Sequence, residues 1–196
     1  MISAIILSAG ASGRMGTPKA LLRIGDQNFL QHIINKLEHQ HIHKIYVIIG
    51  ADADDIKPTL SGLQVNIIIN EQWRSGQLSS LIAGLHELDE RENDAALIWP
   101  VDHPLVTETT IKKMINTFIN DKDKIIIPKY NGRRGHPVIF PKSLFSQLRT
   151  APFEKGARVV VHQNEDRVLE VETDDESVAI NIDTPEDYER FVLKNK

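Results

Sequence analysis

The chain has 196 residues, of which 41% are hydrophobic and 26% are charged, and its formal net charge at pH 7 is −4. This composition is typical of a globular protein with a substantial core, and the modest negative charge predicts no general attraction to nucleic acid or to a membrane. The absence of cysteine excludes disulfides, thiolate metal sites and cysteine nucleophiles. The N-terminal apolar run is short and has no leading basic residue, and no run approaches the roughly 20 residues of a membrane helix, so we expect a cytoplasmic protein without a signal peptide.

Hydrophobic periodicity predicts strands and helices that alternate along the chain. Short apolar runs predict buried strands, and apolar residues three and four positions apart predict amphipathic helices. Alternation of this kind predicts an α/β fold, a single domain over residues 1–196 with a doubly wound, mostly parallel sheet, and solvated charged turns at 121–124 and 174–176. In chain order we predict a strand at 2–7, a helix at 28–39, a strand at 44–49, a helix or turn at 54–60, a strand at 65–69, a helix at 77–90, a strand at 95–100, a helix at 107–120, strands at 124–128, 137–140, 168–172 and 178–181, and a closing helix at 186–193.

The connection after the first predicted strand is rich in glycine and carries two basic residues. It has glycines at positions 10, 13 and 16, then Arg14 within the loop and Lys19 at its end. Glycine lets backbone N–H groups approach an anion closely, because no Cβ intervenes. An arginine fork and a lysine ammonium both bind phosphate oxygens. The loop therefore predicts a polyphosphate site at the end of a parallel strand.

Two better-known phosphate loops do not match this segment. A P-loop needs Gly-Lys-Ser/Thr at its end, whereas Thr17 and Pro18 separate Gly16 from Lys19 here. A dinucleotide fold needs G-x-G-x-x-G, whereas the spacing here is G-x-x-G-x-x-G. The remaining alternative is a structural glycine-rich connection that carries basic residues by chance.

Four segments, spread over the whole chain, resemble one superfamily of enzymes. Residues 7–22 (LSAGASGRMGTPKALL) resemble the nucleotide-binding signature of nucleotidyltransferases with a Rossmann-like fold of the glycosyltransferase-A type. Three more segments match in the same order: WPVDHPL at 99–105, RGHPV at 134–138 and NIDTPEDY at 181–188. Within the superfamily the chain resembles the molybdopterin cytidylyl- and guanylyltransferases. The resemblance implies transfer of CMP from CTP, or of GMP from GTP, to a phosphorylated acceptor such as molybdopterin.

Two aspartates follow predicted strands and are candidate metal ligands. Asp102 follows the strand at 95–100, at the sheet edge where parallel sheets bind ligands, and a carboxylate there suits Mg²⁺. Asp183 follows the run at 178–181. For each, the alternative is a cap at the start of the next helix. The resemblance favours metal binding by both, with Mg²⁺ expected and Mn²⁺ as the alternative, and it makes Lys19, Arg14 and Asp102 the catalytic residues. His103 is expected to lie partly exposed in its loop.

Base recognition is assigned to two loops. Cytidylyl members of the resembling family tend to have Ala-Ala-Gly before the loop, guanylyl members have Ala-Gly-Gly, and this chain has Ser8-Ala9-Gly10. The β-carbon of Ala9 would narrow the base pocket and favour CTP. Serines at the start of the helix at 77–90 are predicted to bond to base or ribose, the alternative being that they cap the helix. The predicted nucleotide-binding residues are Leu7, Ser8, Ala9, Gly10, Ser12, Gly13, Arg14, Lys19, Gly76, Ser79 and Ser80.

The acceptor site is assigned to the Gly-His-Pro segment at 135–137. The resemblance places this segment near the acceptor, and a dianionic phosphate would suit His136 and Arg134, with Arg133 beside them. The alternative is a hairpin turn with solvated arginines and a histidine bonded to backbone. Lys155 and Arg158 are further basic residues that could reach an acceptor.

The function that these observations favour is nucleotidyl transfer without a covalent intermediate. The expected partners are a nucleoside triphosphate, a small phosphorylated acceptor and a molybdenum hydroxylase that receives the product. One alternative is an enzyme that makes a nucleotide-activated sugar or polyol. The other is a non-catalytic chaperone that binds nucleotide or molybdenum cofactor, which the presence of Lys19 and Asp102 disfavours.

Overall fold

The computed structural model describes residues 1–194, which are built around one central sheet. Eight of the ten strands in this part of the chain belong to that sheet, and the other two, β2 and β3, form a separate two-stranded ribbon. The strands are β1 (Ile2–Ser8), β2 (Arg23–Ile24), β3 (Gln27–Asn28), β4 (Ile45–Ile49), β5 (Asn66–Ile69), β6 (Ala95–Pro100), β7 (Ile125–Tyr130), β8 (Arg133–Arg134), β9 (Val138–Pro141) and β10 (Val168–Glu172).

The central sheet is mostly parallel, as predicted. Its strand order is β10-β7-β9-β6-β1-β4-β5, and β8 pairs with β7. Only β8 and β9 run antiparallel to their neighbours. In the register of the middle strands, Leu7 lies beside Ile48 of β4 and Pro100 of β6. The carboxyl ends of β1, β4 and β6 therefore reach the same edge of the sheet, and the loops that follow them meet there.

Helices cover both faces of the sheet, which confirms the doubly wound prediction. Along β1, Ala4 and Ile6 face a core that includes α1 and α4, whereas Ile5 and Leu7 face a core that includes α3, α5 and α6. None of the helices within the described residues is both long and apolar enough to cross a membrane. The helices are α1 (Phe29–Glu38), α2 (Ala53–Ile56), α3 (Gln77–Glu87), α4 (Glu108–Asn120), α5 (Phe145–Thr150), α6 (Arg158–Gln163) and α7 (Pro185–Tyr188), and α7 continues into a π-helical turn at Glu189–Leu193.

The prediction of a strand at 178–181 is wrong. The structure has a 3₁₀ turn at Glu176–Ala179 instead. The backbone of this region bonds to loops and not to a neighbouring strand: the Val178 carbonyl accepts from the amide of His136 at 2.9 Å, and the Ile182 amide donates to the Asp102 carbonyl at 2.8 Å. The short helices α5 and α6 were not predicted, because six residues carry too little periodic signal.

The charged turn at 174–176 is not simply solvated, because the carboxylate of Asp175 joins this turn to the start of α4. It accepts hydrogen bonds from the backbone amide and hydroxyl of Thr107, at 2.9 and 2.8 Å, and from the hydroxyl of Thr110 at 2.8 Å. Its other oxygen accepts from the amide of Ser177 at 3.1 Å. Burial raises the pKa of Asp175, but the hydrogen bonds from Ser177, Thr107 and Thr110 outweigh this and hold the pKa below its usual value.

Asp175→Asn is expected to lower the free energy of unfolding at pH 7 by about 2 kcal/mol, because an amide cannot accept all of these bonds. The native pKa of Asp175 is depressed. Its stabilisation is therefore complete above the unfolded value of about 4 and is lost as the pH falls through the native value. Urea unfolding at pH 7 and pH 3 measures both effects. Asp174→Asn, at an exposed neighbour, is the control, and an equal loss of stability in both variants would contradict the assignment.

Candidate active site

A cavity of about 390 Å³, here called the loop cavity, lies where the loops after β1 and β6 meet. Among the residues predicted from the sequence, all but Ser79 of the nucleotide-binding set line it, together with Asp102 and Asp183. The sheet-edge argument joined three of these segments, namely the glycine-rich loop, the start of α3 and Asp102, and the structure brings Asp183 to the same depression as a fourth. The lining residues are Leu7, Ser8, Ala9, Gly10, Ala11, Ser12, Gly13, Arg14, Pro18, Lys19, Ala20, Ile56, Trp73, Arg74, Gly76, Gln77, Ser80, Pro100, Val101, Asp102 and Asp183.

The glycine-rich loop is shaped by Ser12 as much as by glycine. Ser12 has a positive φ of 47°, and its carbonyl accepts from the amides of Met15 and Gly16, at 2.9 and 3.2 Å. Its hydroxyl accepts from the amide of Lys19 at 3.0 Å. Gly16, with a φ of 69°, requires the left-handed conformation that glycine adopts freely. These contacts turn the chain back so that Lys19 points into the cavity.

The ammonium of Lys19 lies between two carboxylates. Its Nζ is 3.5 Å from Oδ2 of Asp102 and contacts Oδ1 of Asp183 directly. The other oxygen of Asp183 accepts from Arg14 at 3.0 Å and from Asn181 at 2.8 Å. Burial raises the pKa of Asp183, but Lys19 and Arg14 outweigh this and lower it below its usual value. The lysine side chain is only 15% exposed, so this cluster is partly shielded from water.

The alternative in which the two aspartates cap helices does not hold. The cap of α4 is Thr107, whose side chain accepts from the amide of Thr110. The cap of α7 is Thr184, in a reciprocal capping box with Asp187. Asp102 and Asp183 are thus free of a capping role. They approach each other because the Ile182 amide binds the Asp102 carbonyl, and not through strand pairing.

The donor set around Lys19 fits a hard divalent cation. Both carboxylates reach the same ammonium, and Oδ1 of Asp102 is buried without a hydrogen-bond partner in residues 1–194. The same residues contain no group of three or more His, Cys, Asp or Glu arranged to hold a metal. Mg²⁺ is typically bound by one or two carboxylates together with substrate phosphates. A pair of aspartates beside an anion-binding loop suits that mode.

The two serines of α3, Ser79 and Ser80, differ in their position relative to the loop cavity. The side-chain amide of Asn70 donates to the hydroxyls of Ser79 and Ser80, at 2.9 and 3.0 Å. The Ser79 hydroxyl in turn donates to the carbonyls of Gln72 and Gly76. Ser80 lines the loop cavity, whereas Ser79 lies outside it. Ser79, which was predicted to contact nucleotide, therefore lies outside this cavity. Its hydroxyl holds the turn before α3 but does not cap the helix, because it accepts from no amide of α3.

Among the lining residues that the sequence interpretation did not assign to the site, three have polar or aromatic side chains, namely Trp73, Arg74 and Gln77. The Arg74 guanidinium lies 4.4 Å from the centroid of the Trp73 ring. A Cβ at Gly50 would lie 2.7 Å from the Ala9 carbonyl and 2.8 Å from the Trp73 Cβ, so only glycine there allows the two loops to meet. Only position in the chain could have indicated that these segments reach the cavity, because Gly50 follows β4 and Gln77 is the first residue of α3.

A second cavity of about 560 Å³, here called the side cavity, adjoins the first. The two share Leu7, Gln77 and Pro100. Its wall is largely apolar, and five of its eight charged, histidine and aromatic residues lie at 153–162, in the turn before α6 and in α6 itself. In that turn Phe153 is 46% exposed. The other lining residues are Leu78, Leu81, Ile98, Ile127, Arg134, Gly135, His136, Val138, Phe140, Glu154, Lys155, Gly156, Ala157, Arg158, Val161 and His162.

The side cavity contains the two predicted acceptor residues, Arg134 and His136. Arg134 pairs with Glu165 and with Glu170, the latter at 2.8 Å, so its charge is already compensated. Burial, and then the neighbouring His103, lower the pKa of His136 to about 4, so this imidazole is neutral at pH 7. The two residues predicted to bind the acceptor phosphate are thus a paired arginine and a neutral histidine.

His103 is buried, contrary to the expectation of a partly exposed loop histidine. It is 8% exposed, its pKa is lowered by burial, and its ring centroid lies 4.8 Å from that of His136. The loop folds inward because the indole of Trp99 donates to the His103 carbonyl at 3.0 Å. Within the described chain, Nδ1 of both histidines has no hydrogen-bond partner. Nε2 of His103 lies 3.9 Å from Oδ1 of Asp102, so the two adjacent rings connect this carboxylate to the side cavity, which His136 lines.

Comparison with known sequences gives a consistent picture. Residues 4–168 match the profile of a family described as "MobA-like NTP transferase domain". A nicotine blue oxidoreductase of Paenarthrobacter nicotinovorans is 26% identical over 97% of this chain and 96% of that protein. A probable molybdenum cofactor guanylyltransferase of Natranaerobius thermophilus is 27% identical, over 96% and 94%. A molybdenum cofactor cytidylyltransferase of Escherichia coli is 25% identical, over 95% and 93%.

Solved structures share the whole fold. The crystal structure of Rv0371c from Mycobacterium tuberculosis superposes with a TM-score of 0.87, at 25% identity over 98% of this chain and 97% of that one. A second structure of the same protein, described as a complex with manganese, superposes with a TM-score of 0.80, at 21% identity over 98% of each chain.

Proposed function

Because the chain belongs to the family of MobA-like NTP transferase domains and is a nucleotidyltransferase, we propose that residues 1–196 act as one domain that transfers CMP from CTP to the phosphate of molybdopterin or molybdenum cofactor. The family and the α/β fold predicted from the sequence are confirmed. The observation that carries the finer proposal is the position of Lys19. It ends the glycine-rich loop and lies between two carboxylates, in a cavity that shares three lining residues with a second, largely apolar cavity.

In this proposal the loop cavity holds the triphosphate. The backbone of the glycine-rich loop and the guanidinium of Arg14 bind the β- and γ-phosphates, and Lys19 contacts the α-phosphate. An oxygen of the acceptor phosphate forms a bond to the α-phosphorus. The bond from that phosphorus to the oxygen bridging it to the β-phosphate breaks, and its electron pair leaves with pyrophosphate. The acceptor phosphate is already ionised, so the protein contributes alignment and charge, not a general base.

Asp102 and Asp183 would hold Mg²⁺ or Mn²⁺, and the manganese complex of Rv0371c supports the choice of a divalent ion. When bound, the ion would neutralise charge on the phosphates and on the departing pyrophosphate. The protein's own part is to orient both carboxylates: Arg14, Asn181 and Lys19 hold Asp183, and Lys19 lies beside Asp102. Burial raises the pKa of Asp183, but Lys19 and Arg14 outweigh this and lower it.

The side cavity would hold the acceptor. Lys155 and Arg158 line it without an ion pair in the described chain, so we propose these two, and not the neutralised Arg134, for the acceptor phosphate. The apolar wall suits a ring system, and the neutral His136 would exchange hydrogen bonds with its polar edge. A molybdenum hydroxylase that receives the product remains part of the proposal.

We assign the preference for CTP over GTP to Ala9. This preference needs a direct test, because the relatives include proteins named as cytidylyltransferases and as guanylyltransferases. Pyrophosphate release should be measured with CTP or GTP and molybdopterin. We expect the wild type to prefer CTP and Ala9→Gly to shift the ratio toward GTP by about tenfold, the range expected for one small group in a pocket. Ala11→Gly, in the same loop, controls for added backbone freedom.

Several outcomes would contradict parts of this proposal. A wild-type preference for GTP, or an unchanged ratio in Ala9→Gly, would remove the assignment of Ala9. Turnover with a sugar phosphate but not with molybdopterin would favour the sugar-nucleotide alternative. Tight CTP binding without pyrophosphate release would favour a chaperone. Reduction or oxidation of nicotine blue would favour the activity named for the Paenarthrobacter relative.

A further inference from the structure

Gln77 occupies a position that no other polar side chain shares. Of the three residues that line both cavities, Leu7 and Pro100 are apolar and Gln77 alone carries hydrogen-bonding groups. It is exposed, and its side chain makes no hydrogen bond or ion pair within residues 1–194. An amide with two donors and one acceptor therefore stands open at the boundary between the cavities.

The backbone of Gln77 is held firmly although its side chain is free. Asn70 and Ser79 fix the turn at Gly76, immediately before it. Farther along α3, a Cβ at Gly84 would lie 2.6 Å from Cγ2 of Ile5, so the helix packs directly against β1. The same strand carries Leu7 to the boundary. The amide is thus presented from a rigid element, as alignment of reactants requires.

We infer that Gln77 is a catalytic residue that donates hydrogen bonds to the phosphates at the point of transfer, an inference that rests on the proposed function. If the nucleotide fills the loop cavity and the acceptor fills the side cavity, the attacking oxygen and the α-phosphorus must meet along their shared wall. A neutral donor is suited to that place because two phosphates approach each other there. A carboxylate would repel both, and an apolar side chain would leave their oxygens without a donor.

The test compares Gln77→Leu and Gln77→Glu with the wild type. Pyrophosphate release with CTP and molybdopterin gives kcat and KM, and calorimetry gives the Kd for CTP. We expect Gln77→Leu to lower kcat by about 10- to 100-fold while the Kd for CTP changes less than threefold, because the contact strengthens as charge develops. Gln77→Glu should lower kcat further. Gln72→Leu, at an exposed glutamine outside both cavities, should stay within twofold.

Unchanged kcat in Gln77→Leu would overturn the inference. So would a loss of CTP affinity as large as the loss of kcat, since the side chain would then bind nucleotide uniformly in ground and transition states. Both results leave wild-type transfer intact and the proposed function standing. A wild-type protein that binds no CTP, or releases no pyrophosphate, would overturn the two proposals together.

Discussion

Lys19→Met is expected to lower kcat/KM for nucleotidyl transfer by about 10³-fold, or about 4 kcal/mol of transition-state stabilisation. The ammonium is the only cation that contacts both carboxylates among the described residues, and it ends the loop that we propose binds the triphosphate. In the proposed reaction, its removal takes away charge where the phosphorus–oxygen bond breaks. It also leaves two neighbouring aspartates without the cation that separates them. Steady-state pyrophosphate release with CTP and Mg²⁺ measures the loss.

Two comparisons make this result interpretable. Lys112→Met removes an exposed lysine from α4, far from both cavities, and should leave turnover unchanged. Lys19→Arg keeps the charge but carries it on a larger planar group, so only partial activity should return. The melting temperature of each variant separates lost chemistry from lost folding. Turnover of Lys19→Met within tenfold of the wild type would show that this loop does not act on the reacting phosphate.

The part of the site that the sequence predicted depends on short-range signals. Leu7 lies at the end of a buried strand, Arg14 and Lys19 lie in the connection that follows it, and Asp102 follows another strand. The rule that parallel strands present their carboxyl ends together is then enough to join them. The same rule explains why Trp73 and Gln77 line the loop cavity, although neither residue type by itself indicates a phosphate site.

What the sequence could not predict is set by contacts between distant segments. The apolar residues Val178 and Ile180 are typical of a strand. However, a Cβ at Gly135 would lie 2.1 Å from the Val178 carbonyl, so the two backbones approach where no local pattern indicates it. The charge of Arg134 is compensated by Glu165 and Glu170, 31 and 36 residues away. Only the folded arrangement reveals that this arginine is already paired.

Asp102→Asn is expected to cost about as much activity as Lys19→Met, and more than Asp183→Asn. Asp102 has a buried oxygen without a hydrogen-bond partner, which makes it the more available ligand for a divalent ion. Both oxygens of Asp183 are already held, one by Lys19 and one by Arg14 and Asn181. An asparagine at 102 keeps the shape of the side chain but loses its charge. Pyrophosphate release gives the activity, and electron paramagnetic resonance of free Mn²⁺ gives the affinity for the ion without reference to turnover.

The two aspartates should also fail to act independently. If they hold one ion together, the double variant should lose little more activity than Asp102→Asn alone, because residues that act as a unit are not additive. Asp26→Asn, at an exposed turn between β2 and β3, should bind Mn²⁺ as the wild type does. Full additivity would place the aspartates in separate roles. If Asp102→Asn bound Mn²⁺ as tightly as the wild type, the carboxylate of Asp102 would be assigned to orienting Lys19 instead. The loss of nucleotidyl transfer would then be explained by misalignment of the lysine.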